Sequence, residues 1–285
     1  MQITKEQNII LSNPETKDFL ADAFYPETET KLPLVIFVHG YKGYKDWGAW
    51  NLMAEKFAEA GFFFVKFNFS HNGTTTVSPT EFDDLEAFGN NNYTKELSDL
   101  GLVIDYFTKN PKVDQQKIIL IGHSRGGGIS IIKTCEDERI NGLITLASVD
   151  TLERFPKDAG LEEWKNKGVY YVQNARTKQE MPHYYQFYED FKNNEHRFDV
   201  ERSMEMAKAH VLIIHGTNDE GVNVKNAEHL HILNPNSELF LIENGNHVFG
   251  AKEPWKENEL PKDLNEVVEK CIGFIKDKMV QNENG

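Results

Sequence analysis

Residues 117–128 read KIILIGHSRGGG, an apolar run that breaks at Gly122-His123-Ser124-Arg125-Gly126 and passes straight into a glycine-rich helix start. A strand that reverses so sharply into a helix holds its central residue in a strained conformation, and a side chain at either flanking glycine collides across the turn. The turn therefore displays the Ser124 hydroxyl as a candidate nucleophile. Gly126, Gly127 and Gly128 open the helix, although each glycine costs up to ~1 kcal/mol relative to alanine in a helix interior. Close backbone approach, not helix propensity, accounts for them.

The setting of this turn predicts an α/β architecture. Leu34 to Val38, Phe62 to Phe69, Ile118 to Ile121 and Val211 to Ile214 are short β-branched or aromatic runs of the kind buried on both faces of a parallel sheet. Leu97, Leu100, Gly101, Ile104 and Phe107 keep one apolar face at helical spacing between them. Leu143 to Ala147 and Leu239 to Ile242 extend the sheet, and Leu264 to Ile275 makes a closing amphipathic helix. Residues 1–25 read as an antiparallel entry hairpin with Ser12-Asn13-Pro14 at its turn. The total is about eight strands in a mostly parallel sheet flanked by helices. The polar tail Gln281 to Gly285 is expected to fray.

In such a sheet the loops at the carboxyl ends of the strands meet on one rim. His39-Gly40-Tyr41, Ser124, Asp219 and His247 all follow apolar runs and belong to that rim. A serine hydroxyl is a poor nucleophile at neutral pH; it needs a neutral imidazole to take its proton and a carboxylate to fix that imidazole's tautomer. His247 and Asp219 fit these roles, with Asp46 a second carboxylate after a strand-end loop. His39 and His215 precede glycines and are expected to shape the rim.

The chain resembles the α/β-hydrolase superfamily from Pro33 to Gly250. The resemblance rests on Gly122-His123-Ser124-Arg125-Gly126 as the nucleophile elbow, His215-Gly216-Thr217-Asn218-Asp219 as the acid loop and Gly245-Asn246-His247 as the base loop. It implies a catalytic triad of Ser124, Asp219 and His247, favouring Asp219 over Asp46. It also implies an oxyanion hole made by the backbone amides of Tyr41 and Arg125, and no cofactor. The Arg125 guanidinium is expected to pair with a surface carboxylate.

Composition narrows the remaining classes. With 45 acidic against 31 basic residues the net charge is −14, which argues against a general attraction to nucleic acid or anionic lipid. No stretch approaches twenty apolar residues, and Met1 to Ile10 lacks a secretion signal's basic end and apolar core, so a cytoplasmic protein is expected. Cys135 and Cys271 show no metal-type spacing and read as buried thiols. His229 and His231, two apart on a helix, point in different directions and read as solvated surface, with no metal site.

Residues 1–150 and 210–285 are expected to form the hydrolase core, with 151–209 an inserted lid. From Thr151 to Val200, ten of fifty residues are aromatic, against 12% overall. Gly168 to Phe191 fits either a hairpin over the serine or two amphipathic helices, and its rings either line a substrate site or simply pack the insertion down. Within the superfamily the chain is most similar to cinnamoyl/feruloyl esterases, dienelactone hydrolases and prolyl-type serine aminopeptidases. Ser124 stands where dienelactone hydrolases carry cysteine. These branches imply a small-molecule ester as substrate, with an aminoacyl amide as the alternative and a non-catalytic binding module as a second. An aminopeptidase needs an acid to hold the free amine, for which Glu162, Glu163 and Glu189 are the lid's candidates. Lys42, Lys45 and Trp47 either border the site or form a solvated loop, the latter being expected.

Overall fold

The computed structural model describes residues 2–280. The chain enters through β1 (Ile3–Leu11) and β2 (Phe19–Pro26), an antiparallel pair. In the turn between them Asn13 accepts the amide of Glu15. Then follow β3 (Leu32–Val38), α1 (Trp50–Glu59), β4 (Phe63–Phe67), α2 (Leu85–Gly89), α3 (Tyr93–Phe107), β5 (Val113–His123), α4 (Arg125–Glu136) and β6 (Ile140–Leu146). After β6 come α5 (Ala159–Lys167), β7 (Val169–Gln173), β8 (Glu180–Tyr184), α6 (Gln186–Asn193) and α7 (Val200–Met206). The chain then returns through β9 (His210–Gly216), α8 (Lys225–Leu233), β10 (Glu238–Ile242) and α9 (Lys262–Ile275).

Eight strands form one sheet in the order β1-β2-β4-β3-β5-β6-β9-β10. Its pairings from β4 to β10 are parallel, and β1 and β2 attach antiparallel at one edge. Side chains alternate along each strand, so both faces are apolar. Leu34, Ile36, Val38, Ile118 and Leu120 face a core shared with α3 and α4. Val35, Phe37, Ile119, Ile121, Leu212 and Ile214 face α1 and α9. Each such side chain contributes about 1.5–3 kcal/mol by leaving water, which fixes the register and with it the rim where the strands end.

The 151–209 stretch contains both structures that its sequence left open: β7 and β8 pair as a separate antiparallel hairpin, with α5 and α6 on either side. Its rings also divide between two jobs. Phe187, Phe191 and Phe198 surround Tyr93 of α3 and so pack the stretch onto the body, whereas Phe155, Tyr170 and Phe187 face a cavity.

Cys271 is buried, but Cys135, near the C-terminal end of α4, is only half-buried; neither forms a disulfide. Among the described residues no helix is long and apolar enough to cross a membrane. The tail at Gln281–Gly285 lies outside the described residues.

Candidate active site

Ser124 sits at the junction of β5 and α4 with φ 56° and ψ −122°, a conformation that a residue with a β-carbon adopts only when its surroundings impose it. The impositions are visible. A β-carbon at Gly122 would lie 2.4 Å from the Gly126 carbonyl oxygen, and one at Gly126 would lie 2.3 Å from the carbonyl oxygen of Val38. Elbow and β3 are therefore in backbone contact. The Ser124 amide donates to the Leu146 carbonyl at 2.9 Å, pinning the turn to β6.

Three strand ends meet here. His247, on the loop after β10, places Nε2 3.0 Å from Ser124 Oγ. Its Nδ1 lies 2.8 Å from Asp219 Oδ2, on the loop after β9. A carboxylate only accepts, so Nδ1 carries the proton; Nε2 is left bare and accepts from the serine hydroxyl.

Asp219 is thoroughly solvated by protein. Its Oδ1 accepts the amides of Gly221 (2.7 Å) and Val222 (2.8 Å), and its Oδ2 also faces His215 Nε2 at 3.2 Å, with no solvent exposure of the carboxylate. Burial alone would raise its pKa, but the hydrogen bonds from His215, His247 and Val222 outweigh that and hold the carboxyl well below the usual carboxylate range. It is an anion at any working pH.

Two further imidazoles brace the arrangement. His215 Nε2 also donates to the Val222 carbonyl at 2.9 Å, fixing its tautomer and the acid loop together. His123, inside the elbow, donates Nε2–H to the backbone carbonyl of His247 at 2.8 Å. Burial pushes its pKa down to about 3, with the neighbouring His247 adding to the effect, so it is a neutral, fixed donor. Nothing local in the sequence named its partner.

Gly40 brings the other wall in. A β-carbon there would stand 2.8 Å from Ser124 Cβ, so only glycine lets the loop after β3 pass this close and carry the Tyr41 amide to the rim. Arg125 begins α4, and as the first helical residue its amide has no acceptor within the helix.

Arg125's side chain departs from expectation. It pairs not with a surface carboxylate but with Glu96 of α3, at 2.7 Å, and Glu96 is 1% exposed. The guanidinium lies 5.0 Å over the Tyr41 ring. The Tyr41 hydroxyl reaches His183 Nε2 at 2.9 Å, while His183 Nδ1 donates to the Met181 carbonyl at 3.3 Å. A run of contacts thus joins Glu96, Arg125, Tyr41 and the β7–β8 hairpin. No sequence signal pointed to Glu96 or His183.

The loop after β3 is not solvated as expected. Lys45 is 1% exposed and donates to Asp22 at 2.8 Å and to Asp46 at 2.6 Å. Asp46 also holds Lys66, which occupies it structurally, away from the histidines. Lys42 and Trp47 border cavities beside Ser124. His39 is buried, with Nδ1 on the Gly40 carbonyl. His229 pairs with Asp150 at 3.0 Å and His231 with Ser237 at 2.8 Å. Among the described residues no cluster of three metal-ligating side chains occurs.

Ser124 and His247 lie between two cavities. One, of about 560 Å³, runs beneath the β7–β8 hairpin, with Tyr93, Leu152, Phe155, Tyr170 and Phe187 among its walls. The other, of about 190 Å³, is bounded by Trp47, Trp50 and Val248. Glu162, Glu163 and Glu189 are exposed and line neither.

A family model described as the alpha/beta hydrolase fold matches residues 33–179, just over half of the chain. The chain belongs to this family. Among solved structures, Est1E from Butyrivibrio proteoclasticus superposes with a TM-score of 0.71 at 18% identity, covering 96% of this chain and 99% of that one. The same protein with ferulic acid bound gives a TM-score of 0.72 at 18% identity, covering 96% and 100%. The esterase domain of a Rhodothermus marinus protein gives 0.65 at 16% identity, covering 97% and 99%. At these identities the likeness is one of fold. The Quorum-quenching protein AidA of Acinetobacter baumannii is 24% identical over 122 residues, which are 43% of this chain and 37% of that relative's length. The chain thus matches well under half of the relative.

Proposed function

We propose that this alpha/beta hydrolase is a cofactor-independent serine esterase, cleaving carboxylic esters through an acyl-enzyme. One observation carries the reading: the unbroken run Asp219–His247–Ser124, with contacts of 2.8 Å and 3.0 Å. Ser124 Oγ attacks the ester carbonyl as His247 Nε2 takes its proton, and Asp219 stabilises the imidazolium that forms. The Tyr41 and Arg125 amides hold the oxyanion, where losing one aligned donor typically costs about 2.7–4 kcal/mol of barrier. His247 then protonates the departing alkoxide. Water repeats the sequence in reverse, releasing the acid and restoring the serine.

The two cavities supply room for the acyl and alcohol halves on either side of Ser124. The aromatic walls of the larger favour an aromatic or amphipathic group, a preference in keeping with the ferulic acid bound to Est1E. In this reading 151–209 acts as the lid. Among the described residues no Asp or Glu lines either cavity, so a free amine has no counter-ion there and the aminopeptidase alternative loses its main requirement. A binding module without chemistry has no use for a strained serine within reach of an oriented imidazole.

A fluorophosphonate probe should label the wild-type protein and leave Ser124→Ala unlabelled, and aryl or acyl esters should be turned over while aminoacyl amides are not. Absence of Ser124-dependent labelling removes the esterase and the amidase together; turnover of amides alone reverses the preference.

A further inference from the structure

The larger cavity carries a charge pattern opposite to that of the molecule. Acidic residues outnumber basic ones, 45 to 31, yet the walls beside Ser124 include Lys42, Arg125 and Arg154 and no carboxylate. Arg125 is neutralised from behind by Glu96. Lys42 and Arg154 are not: among the described residues neither has a carboxylate within ion-pair distance.

Lys42 is the more telling of the two. Its backbone lies at φ 55°, a left-handed conformation that a residue with a β-carbon adopts only under strain. Backbone preference would place glycine or asparagine there, so a lysine is held for its side chain. Its ammonium sits 5.0 Å from the centre of the Tyr41 ring, half-buried at the cavity wall. Burial lowers its pKa, which is the sign of a cation short of a counter-charge. The positive field is felt across the cavity. His183 has its pKa pushed down to about 4, chiefly by burial and further by the charges of Arg125 and Lys42. Arg154 stands exposed on the same wall, beside the cavity-lining Phe155.

From this lining we infer that the ester cleaved here carries a carboxylate on the half that occupies the larger cavity, its apolar body against Phe155, Tyr170 and Phe187 and its charge held by Lys42 and Arg154. The inference rests on the esterase reading and names its substrate class. A carboxylate suits the site better than a more highly charged group, since two separated cations face a largely aromatic wall. The reaction is ordinary hydrolysis: the ester bond breaks, water supplies the hydroxyl to the acyl carbon and a proton to the alcohol, and the distant carboxylate is unchanged.

The test compares kcat/KM for matched esters that differ only in charge. One pair puts a terminal carboxylate or carboxamide on the acyl chain of a nitrophenyl ester. The other puts a carboxylate or carboxamide on a phenolic leaving group. In at least one pair the anionic member should be favoured by about tenfold or more, and raising salt from about 0.05 M to about 0.5 M should erode that preference. Lys42→Gln and Arg154→Gln should each reduce the ratio and the double variant should bring it near unity, whereas Lys42→Arg should preserve it. Equal or inverted preference in both pairs overturns the inference, as does a preference that survives the double variant with an unchanged melting temperature. If fluorophosphonate still labels Ser124 and neutral esters are cleaved, only this inference has failed. If labelling and all ester turnover are absent, the esterase reading has failed and takes the inference with it.

Discussion

Asp219 decides which nitrogen of His247 faces the serine. Its Oδ2 takes the imidazole Nδ1–H at 2.8 Å while the amides of Gly221 and Val222 occupy Oδ1, so the carboxylate cannot turn away. Asp219→Asn keeps the shape and both amide bonds but can offer an N–H toward Nδ1. The imidazole would then bind that donor through a bare Nδ1 and point Nε2–H at Ser124, where it cannot accept a proton. The expected result is a fall in kcat on the order of 10³–10⁴, with an unaltered far-ultraviolet spectrum and a modestly lower melting temperature near neutral pH, since asparagine forgoes the stabilisation that the depressed carboxyl pKa marks. Full turnover in a folded variant would place the acid elsewhere. These three residues were legible in the sequence because each closes an apolar run, and strand ends share a rim whatever their separation along the chain. His123 and His183 were not legible as bracing residues. Their partners are a backbone carbonyl 124 positions away and a tyrosine hydroxyl 142 positions away, and no local pattern encodes such pairings.

At the scale of elements, the hairpin over the serine depends on Trp164. This side chain is 1% exposed and is surrounded by Phe155, Tyr170, Tyr185 and Tyr188. Its indole N–H donates to the His183 carbonyl at 2.8 Å, tying α5 to β8. Trp164→Ala should cost about 3–5 kcal/mol of local stability. The loss should fall on residues 159–193, because three of Trp164's four ring partners, Tyr170, Tyr185 and Tyr188, lie within that segment. Hydrogen exchange should therefore accelerate there while β3, β5 and β6 stay protected; acceleration throughout would mean that the insertion and the sheet unfold as one unit. The sequence left this segment open between hairpin and helices for a physical reason. Its strands are only five residues long, too short for alternation to be distinguished from one turn of helix, and its aromatic residues satisfy both periods. The sheet was clearer. Its central strands are buried on both faces, so continuous apolar runs marked them without any need to read alternation.

Across the whole molecule, two buried acidic centres stitch the entry strands to the rim, and they differ in how charge is handled. Asp22 of β2 holds Lys45 and Lys66, which the half-buried Asp46 also holds, so the four charges cancel. The cluster did not announce itself, since a lysine inside a strand and one inside a loop look solvated until the partners meet. Asp99 of α3 has, among the described residues, no cation within ion-pair distance. It is fully buried and accepts the Ser70 amide at 2.8 Å and the Thr16 hydroxyl at 3.1 Å. Burial raises its pKa to about 7, with the charge of Glu96 adding to the rise after those hydrogen bonds have opposed it. An unfolded aspartate titrates near ~3.9. The folded state thus binds the extra proton, and the contribution is complete below about pH 4 and is lost as pH rises through about 7. Over about three units the loss amounts to as much as ~4 kcal/mol. Other groups titrate in the same window and in the opposite sense: His39 and His183 are held neutral, with burial lowering both to about 4, so they favour the folded state as pH rises. The wild-type slope is therefore a sum, and a difference isolates the aspartate. Asp99→Asn keeps an acceptor for the Ser70 amide, turns its N–H toward the Thr16 hydroxyl, which can accept as well as donate, and cannot ionise. Relative to wild type, its unfolding free energy in urea should increase steadily between about pH 4 and about pH 8. A difference that stays constant over that range would mean that Asp99 is ionised in the folded protein and that a counter-charge compensates it there.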